Sequence, residues 1–306
     1  VNLPTTHIVS TRTQHNKTLE AILVQNKTRV KMNVSTSELA SKYDSISSVY
    51  LQNKFPDEAF KLVDFEITDD VLDVGCGPGK QCKYLSPLVN SVIGFDISPG
   101  MIEFARRENS APNIQYFEDD AQTFGDHHGD WSEKFNKIIC FAVLHWCKDE
   151  EGTLKNIYHC LKPGGTFILG FPFKFQLHGK TSCYGETGDM WIRNHPRWGS
   201  FLKDYDTHVF PREDSEMFLD CMRSVGFIIQ KVQIYPGRWV QWNEQWIKAQ
   251  LRCLFDPVTQ IPVQHRDEFI GDVYKWLYDV TPKRPNGVLQ GELGRFEYII
   301  ILATRE

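Results

Sequence analysis

The stretch Val71-Leu72-Asp73-Val74-Gly75-Cys76-Gly77-Pro78-Gly79 runs an apolar strand into a glycine-rich turn. Glycines at 75, 77 and 79 let the backbone come close to a ligand at the carboxyl end of a strand. The spacing is not the GxGxxG of a dinucleotide fingerprint, and no Lys-Ser/Thr pair follows as in a phosphate-cradling loop. The next strand pattern ends in Gly94-Phe95-Asp96, where one carboxylate can accept from both hydroxyls of a ribose. A third is followed by Glu118-Asp119-Asp120-Ala121, where Asp120 is suited to accept from an adenine amino group. Three acids at three strand ends, with glycines at the first, describe a ligand that has ribose and adenine and little phosphate. S-adenosylmethionine fits that description.

The elements that must position these residues can be read from periodicity. Strands are expected at Val71–Val74, Val92–Phe95, Ile114–Phe117, Lys137–Phe141 and Thr166–Phe171, separated by helices Lys80–Leu88, Pro99–Arg107 (capped by Ser98) and Glu150–Leu161. Apolar strands alternating with helices of about ten residues imply right-handed crossovers and a parallel sheet covered on both faces, hence a doubly wound α/β domain. Upstream, Ser35-Thr36-Ser37-Glu38 has capping-box spacing and opens a helix to about Gln52. After Phe171 the pattern is irregular to about Pro211; helix Glu213–Val225, strand Phe227–Tyr235 and a long strand Phe296–Thr304 follow. Between the last two strands, Trp242, Trp246, Leu251 and Leu254 mark one amphipathic helix, and Phe269, Val273, Trp276, Leu277 and Val280 another.

Asp73–Gly79, Asp96, Asp120 and the turn Leu161-Lys162-Pro163-Gly164-Gly165 together resemble the class I methyltransferases, over roughly residues 36–306. The resemblance implies a Rossmann-like, seven-stranded sheet and a cofactor site of Asp73, Gly75, Cys76, Gly77, Gly79, Asp96, Ile97, Asp120, Ala121 and Phe141. Two further matches, Leu144-His145-Trp146 after the fourth strand and Tyr50-Leu51-Gln52 at the end of the first helix, are most similar to the arthropod juvenile hormone acid methyltransferases. That family methylates sesquiterpenoid carboxylic acids such as farnesoic acid. It implies that Gln52 and Trp146 hold the substrate carboxylate through neutral N–H donors, with His145 beside them as either a structural or a catalytic histidine. A carboxylic acid is already ionised at neutral pH, so transfer needs orientation and desolvation rather than a base.

Other readings stay open at this level. A small polar acid of the trans-aconitate type is an alternative substrate, N- or C-methylation an alternative reaction, and a non-catalytic cofactor-binding regulator an alternative role. Trp146 and Gln52 also have plainer readings as a packing residue and a solvated helix residue. His127-His128, in a Gly/Asp loop, reads as solvated surface, and no cluster has the spacing of a metal site.

Composition bounds these readings. The 306 residues are 41% apolar and 24% charged, which excludes disorder over most of the length. A net charge of −5 supplies no basic excess for nucleic acid. No apolar run approaches the roughly 20 residues of a bilayer helix. The eight cysteines are scattered without a CxxC pair and read as reduced core thiols of an intracellular protein. Residues 1–31 carry basic residues, a single acid and no aromatic residue, and are expected to be a disordered or non-native extension preceding a domain that spans 32–306. A transit peptide is the alternative, so the expected location is cytoplasmic or, on that reading, mitochondrial. The sequons at Asn16, Asn26 and Asn33 are read as chance. Of the 39 aromatic residues, 22 fall after residue 170, where cap insertions are placed at about 172–212 and 236–294; such a cap would offer an apolar pocket on the sheet's carboxyl edge.

Overall fold

Strand-helix alternation produces a sheet whose centre is the glycine-bearing strand. The structure is a computed structural model and describes residues 34–50, 54–177, 186–203, 205, 215–235, 239–241, 243–281, 283 and 292–306. Strands β1 (Asp70–Val74), β2 (Ser91–Asp96), β3 (Ile114–Glu118), β4 (Phe135–Phe141), β5 (Leu161–Leu177), β6 (Phe227–Tyr235), β7 (Trp239–Gln241) and β8 (Glu292–Arg305) form one mixed sheet. Seven of them run in the order β3-β2-β1-β4-β5-β8-β6, and the short β7 pairs with the start of β8. β1 to β5 are parallel, and β8 lies antiparallel between β5 and β6. This is the class I methyltransferase order. The chain leaves β1 toward β2 on one side and returns to β4 on the other, so the crevice of this topology opens at the carboxyl ends of β1 and β4.

The sheet is buried on both faces because its central strands are near-continuous apolar runs whose successive side chains point to opposite faces. Leu72, Val74, Phe95, Ile138, Phe167 and Ile299 point to one face, and Val71, Val92, Ile139, Ile168 and Ile300 to the other. The helices among the described residues are α1 (Ser37–Tyr50), α2 (Lys54–Phe60), α3 (Lys80–Leu85), α4 (Pro99–Glu108), α5 (Phe124–His127), α6 (Glu150–Cys160), α7 (Glu186–Asn194), α8 (Ser215–Val225), α9 (Glu244–Leu254) and α10 (Arg266–Val280); α2, α3, α4, α6 and α8 lie against the sheet. Cys76, Cys82, Cys140, Cys147, Cys160 and Cys253 are buried thiols in these layers. Among the described residues no helix is long and apolar enough to cross a membrane.

Three local expectations are corrected. The first helix begins at Ser37, and its cap is Thr36, whose Oγ1 accepts the Leu39 N–H at 3.3 Å, one residue later than the Ser35–Glu38 box implied. The helix after the glycine turn ends at Leu85 rather than Leu88; Ser86 donates back to the Cys82 carbonyl and Pro87 removes the next donor. β5 does not stop at Phe171 but pairs with β8 as far as Leu177, because Phe171–Leu177 finds an antiparallel partner in Gly294–Ile299. Residues 1–33 and Gln52, to which expectations were attached above, lie outside the described residues.

The segments beyond β5 and between β6 and β8 share one apolar cluster. Ile192 and Trp198 of the first pack with Leu251, Phe255, Phe269 and Leu277 of the second. Trp198 is fully buried and satisfies its indole by donating to Asp272 Oδ2 at 2.8 Å. Trp191 stacks on Trp276 with ring centroids 5.2 Å apart. A second small cluster joins α9 to α1 and α4 through Cys253, Tyr43, Ala40, Met101 and Phe104.

Candidate active site

β1 delivers Asp73 to its carboxyl end and then breaks into three left-handed glycines, Gly75 (φ 69°), Gly77 (φ 52°) and Gly79 (φ 82°). Gly75 is obligatory on two counts. Its φ is one that a side chain resists, and a Cβ there would lie 2.2 Å from Val143 Cγ2. Gly77 faces the other way: a Cβ there would meet nothing within 4 Å, which leaves open space above the turn.

Two buried carboxylates flank that space. Asp96 ends β2; its Oδ2 accepts the Gly77 N–H and its Oδ1 the Ser98 N–H, each at 2.9 Å. Burial pushes its pKa up to about 6 despite those two donors. Asp73 accepts from the Cys82 thiol at 3.2 Å, and burial raises its pKa to about 7 against that hydrogen bond, with Asp96's charge adding to the rise. Carboxylates desolvated in this way, each oxygen with a lone pair to spare, suit the hydroxyl and ammonium donors of a nucleoside that carries an amino acid. The open face at Gly77 and these acids therefore fit S-adenosylmethionine.

Asp120 follows β3 in a turn fixed from below. Asp119 is buried, its N–H donates to the Asp96 carbonyl at 3.1 Å, and its carboxylate accepts the Asp120 N–H at 2.7 Å. The same carboxylate meets His127 Nδ1 at 2.9 Å and His128 Nε2 at 3.0 Å, while the His128 ring stacks on Trp131 at 3.7 Å. The solvated-surface expectation holds for His127, which is 55% exposed while bonding Asp119, and is corrected for His128, which is 19% exposed and packed between that acid and Trp131. Asp120 itself receives the Gln122 N–H at 3.0 Å, and Ala121 is buried beside it.

β4 completes the rim. Phe141 ends the strand and Ala142 takes a left-handed φ of 57°, donating its N–H to the Gly170 carbonyl at 2.7 Å. This kink turns Val143 onto Gly75 and launches the short turn Leu144–Trp146, closed by Trp146 N–H donating to the Val143 carbonyl at 2.8 Å. His145 is buried with its ring 5.0 Å from that of Trp146. Asp73, the glycines, Asp96, Ile97, Asp120, Ala121, Phe141, His145 and Trp146 therefore all lie at the carboxyl ends of β1 to β4. Among the described residues no group of three or more His, Cys, Asp or Glu side chains is arranged to hold a metal.

The structure adds residues that spacing did not expose. Ser98, read only as a helix cap, accepts the Met101 N–H at 3.2 Å and also donates its Oγ to the Val34 carbonyl. Tyr43 of α1 is buried close enough to Asp96 for that charge, after burial itself, to raise its pKa. Asp44 pairs with Lys80, the residue after the glycine turn, at 2.8 Å. These contacts tie α1 to the helix after the glycine turn and the segment before it to the start of α4.

Residues 72–169 match the family model described as a methyltransferase domain. With the strand order, the acid-and-glycine crevice and this match, the chain is an S-adenosylmethionine-dependent methyltransferase with the class I fold. Within that class it is similar to the juvenile hormone acid O-methyltransferase of Drosophila melanogaster, 24% identical over 216 residues that cover 67% of this chain and 69% of the relative. It is also similar to the malonyl-[acyl-carrier protein] O-methyltransferase of Acetivibrio thermocellus, 30% identical over 139 residues, 44% of this chain and 46% of that one. The YcgJ protein of Bacillus subtilis shares the fold at a TM-score of 0.56 and 17% identity, covering 83% of this chain and 99% of the other.

Proposed function

We propose that the chain is a carboxyl O-methyltransferase whose substrate is an apolar acid of the sesquiterpenoid class, such as farnesoic or juvenile hormone acid. The observation that carries this reading is the contact of Val143 with Gly75, which seats the Leu144–Trp146 turn directly against the cofactor turn. When bound, the cofactor supplies a methyl group on a sulfonium. Asp96 and Asp120 accept from its ribose and adenine, and Asp73 and the glycine turn hold its amino-acid end. Trp146 offers its indole N–H to one carboxylate oxygen, with Gln52 as its partner on the basis of the resemblance, and leaves the other oxygen aimed at the methyl.

Neutral donors suit a group that loses its charge in the transition state. An arginine clamp would stabilise the charged ground state more than the neutral ester that forms. No base is needed, so orientation supplies the rate. His145, buried against Trp146, acts by fixing that ring. The aromatic cluster that α7, α9 and α10 share supports a cap for a hydrocarbon tail, and the similarity to juvenile hormone acid and malonyl-carrier O-methyltransferases supports a carboxylate acceptor.

The test is methyl transfer from isotopically labelled cofactor to a panel of farnesoic acid, juvenile hormone acid, medium-chain fatty acids, trans-aconitate and a malonyl thioester. Organic-extractable ester from the terpenoid acids is expected. Turnover confined to trans-aconitate or the malonyl thioester would replace this substrate assignment.

A further inference from the structure

One side chain joins the adenine end of the site to the Trp146 turn. Gln122 follows the Asp120-Ala121 pair, and its own N–H donates to Asp120 Oδ1 at 3.0 Å. Its side-chain Nε2 points at the same oxygen at 3.5 Å. Its Oε1 accepts two successive backbone donors from the far loop, Lys148 N–H at 2.9 Å and Asp149 N–H at 3.1 Å. Asp149 then caps α6 by accepting the Gly152 N–H at 2.9 Å, and Asn156 of α6 returns a bond to the Gln122 carbonyl at 3.1 Å. The loop clamped in this way begins at the end of the Val143–Cys147 turn, where the Cys147 N–H donates to the Leu144 carbonyl at 3.0 Å.

We infer that Gln122 is a positioning residue that couples occupancy of the adenine subsite to the placement of the Trp146 turn. The assignment rests on the cofactor and Trp146 roles proposed above. Its physical basis is the amide. One group must accept from two N–H donors and also donate toward a carboxylate. Glutamate cannot donate when ionised, leucine can do neither, and asparagine is a methylene shorter. A ligand amino group drawing on Asp120 polarises and fixes the carboxylate that Gln122 faces. The fixed amide then holds Lys148 and Asp149, and with them the base of the turn that carries Trp146.

The test reads binding and backbone protection as well as catalysis. S-adenosylhomocysteine affinity is measured by calorimetry, and hydrogen exchange is followed in the peptide spanning residues 143–149, with and without that ligand. In the unaltered protein the ligand is expected to slow exchange at the Lys148 and Asp149 amides. Gln122→Leu should abolish this ligand-dependent slowing while the protein still binds S-adenosylhomocysteine. Gln122→Glu should keep the amides protected, because an acceptor oxygen remains, but weaken the ligand about tenfold by losing a donor and adding a like charge beside Asp120. Ligand-dependent protection in Gln122→Leu equal to that of the unaltered protein would overturn the coupling, as would loss of protection in Gln122→Glu. Neither readout uses an acid substrate, so failure of the terpenoid assignment would leave this result standing and the reverse also holds.

Discussion

At the scale of single residues, the proposed function divides labour between acids that see the cofactor and donors that see the substrate, and two substitutions separate them. Asp96→Ala removes a carboxylate that accepts the Gly77 and Ser98 N–H groups and leaves both buried donors unsatisfied. S-adenosylhomocysteine affinity should fall at least tenfold, since a charged hydrogen bond contributes about 1.5–3 kcal/mol. Trp146→Phe keeps a ring of similar shape and loses only the indole N–H. It should raise KM for the acid and lower kcat, together about tenfold for one lost donor, while the cofactor's Kd stays within about twofold. Calorimetry for the cofactor and steady-state kinetics for the acid distinguish the two, and equal loss of cofactor binding in both variants would remove Trp146 from the substrate side. The acids were legible because residue type and strand end coincide at 73, 96 and 120. Their partners were not: the Cys82 thiol reaches Asp73 from α3, and the Gly77 N–H reaches Asp96 from the turn after a different strand, 19 residues away in the chain.

At the scale of elements, the helix that roofs the site is held by close approach rather than by burial alone. α1 starts against α4: Ser98 donates to the Val34 carbonyl, Arg107 donates to Ser37 Oγ at 2.7 Å, and Lys80 pairs with Asp44. Gly100 in the first turn of α4 is where the two backbones meet, since a Cβ there would sit 2.5 Å from the Thr36 carbonyl carbon. Helix propensity alone predicts that Gly100→Ala stabilises by up to about 1 kcal/mol. The contact predicts the opposite sign: α1 must shift, with a cost of about 1–3 kcal/mol as for other overpacked sites. Thermal or urea unfolding gives the sign directly, and a stabilised variant would show that α1 does not rest on α4 in this way. Such contacts explain which elements the sequence made visible. β1 to β4 and helices α9 and α10 follow from their own periodicity, whereas the length of β5 was set by a partner, β8, that lies elsewhere in the chain. Along that extension Phe171, Phe173, Phe175 and Leu177 alternate with Pro172, Lys174 and Gln176, a strand pattern interrupted only by the proline, and pairing with β8 supplies its partner.

At the scale of the whole molecule, the two acids tie folding, pH and cofactor together. Burial raises the pKa of Asp73 to about 7 and that of Asp96 to about 6, from the ordinary carboxylate value of 3.8. The folded protein therefore keeps protons that the unfolded chain releases. Their contribution to stability is full below about pH 3.8 and is lost as the pH rises through about 6 to 7, where desolvated charge must be carried. A ligand that donates hydroxyl or ammonium hydrogens to these groups favours their ionised form, so its binding releases protons and strengthens as they ionise. S-adenosylhomocysteine should bind more tightly at pH 7.5 than at pH 5.5 and raise the melting temperature more at the higher pH, because stabilisation by a ligand grows with its concentration relative to Kd. Calorimetry in two buffers of different ionisation enthalpy measures the proton release. Asp96→Asn should bind more weakly at pH 7.5 and lose its share of the pH dependence, leaving the share that Asp73 carries. Affinity that is flat across this range in the unaltered protein would mean that neither carboxylate changes protonation when the cofactor enters, and would move the pH-sensitive group away from the ends of β1 and β2.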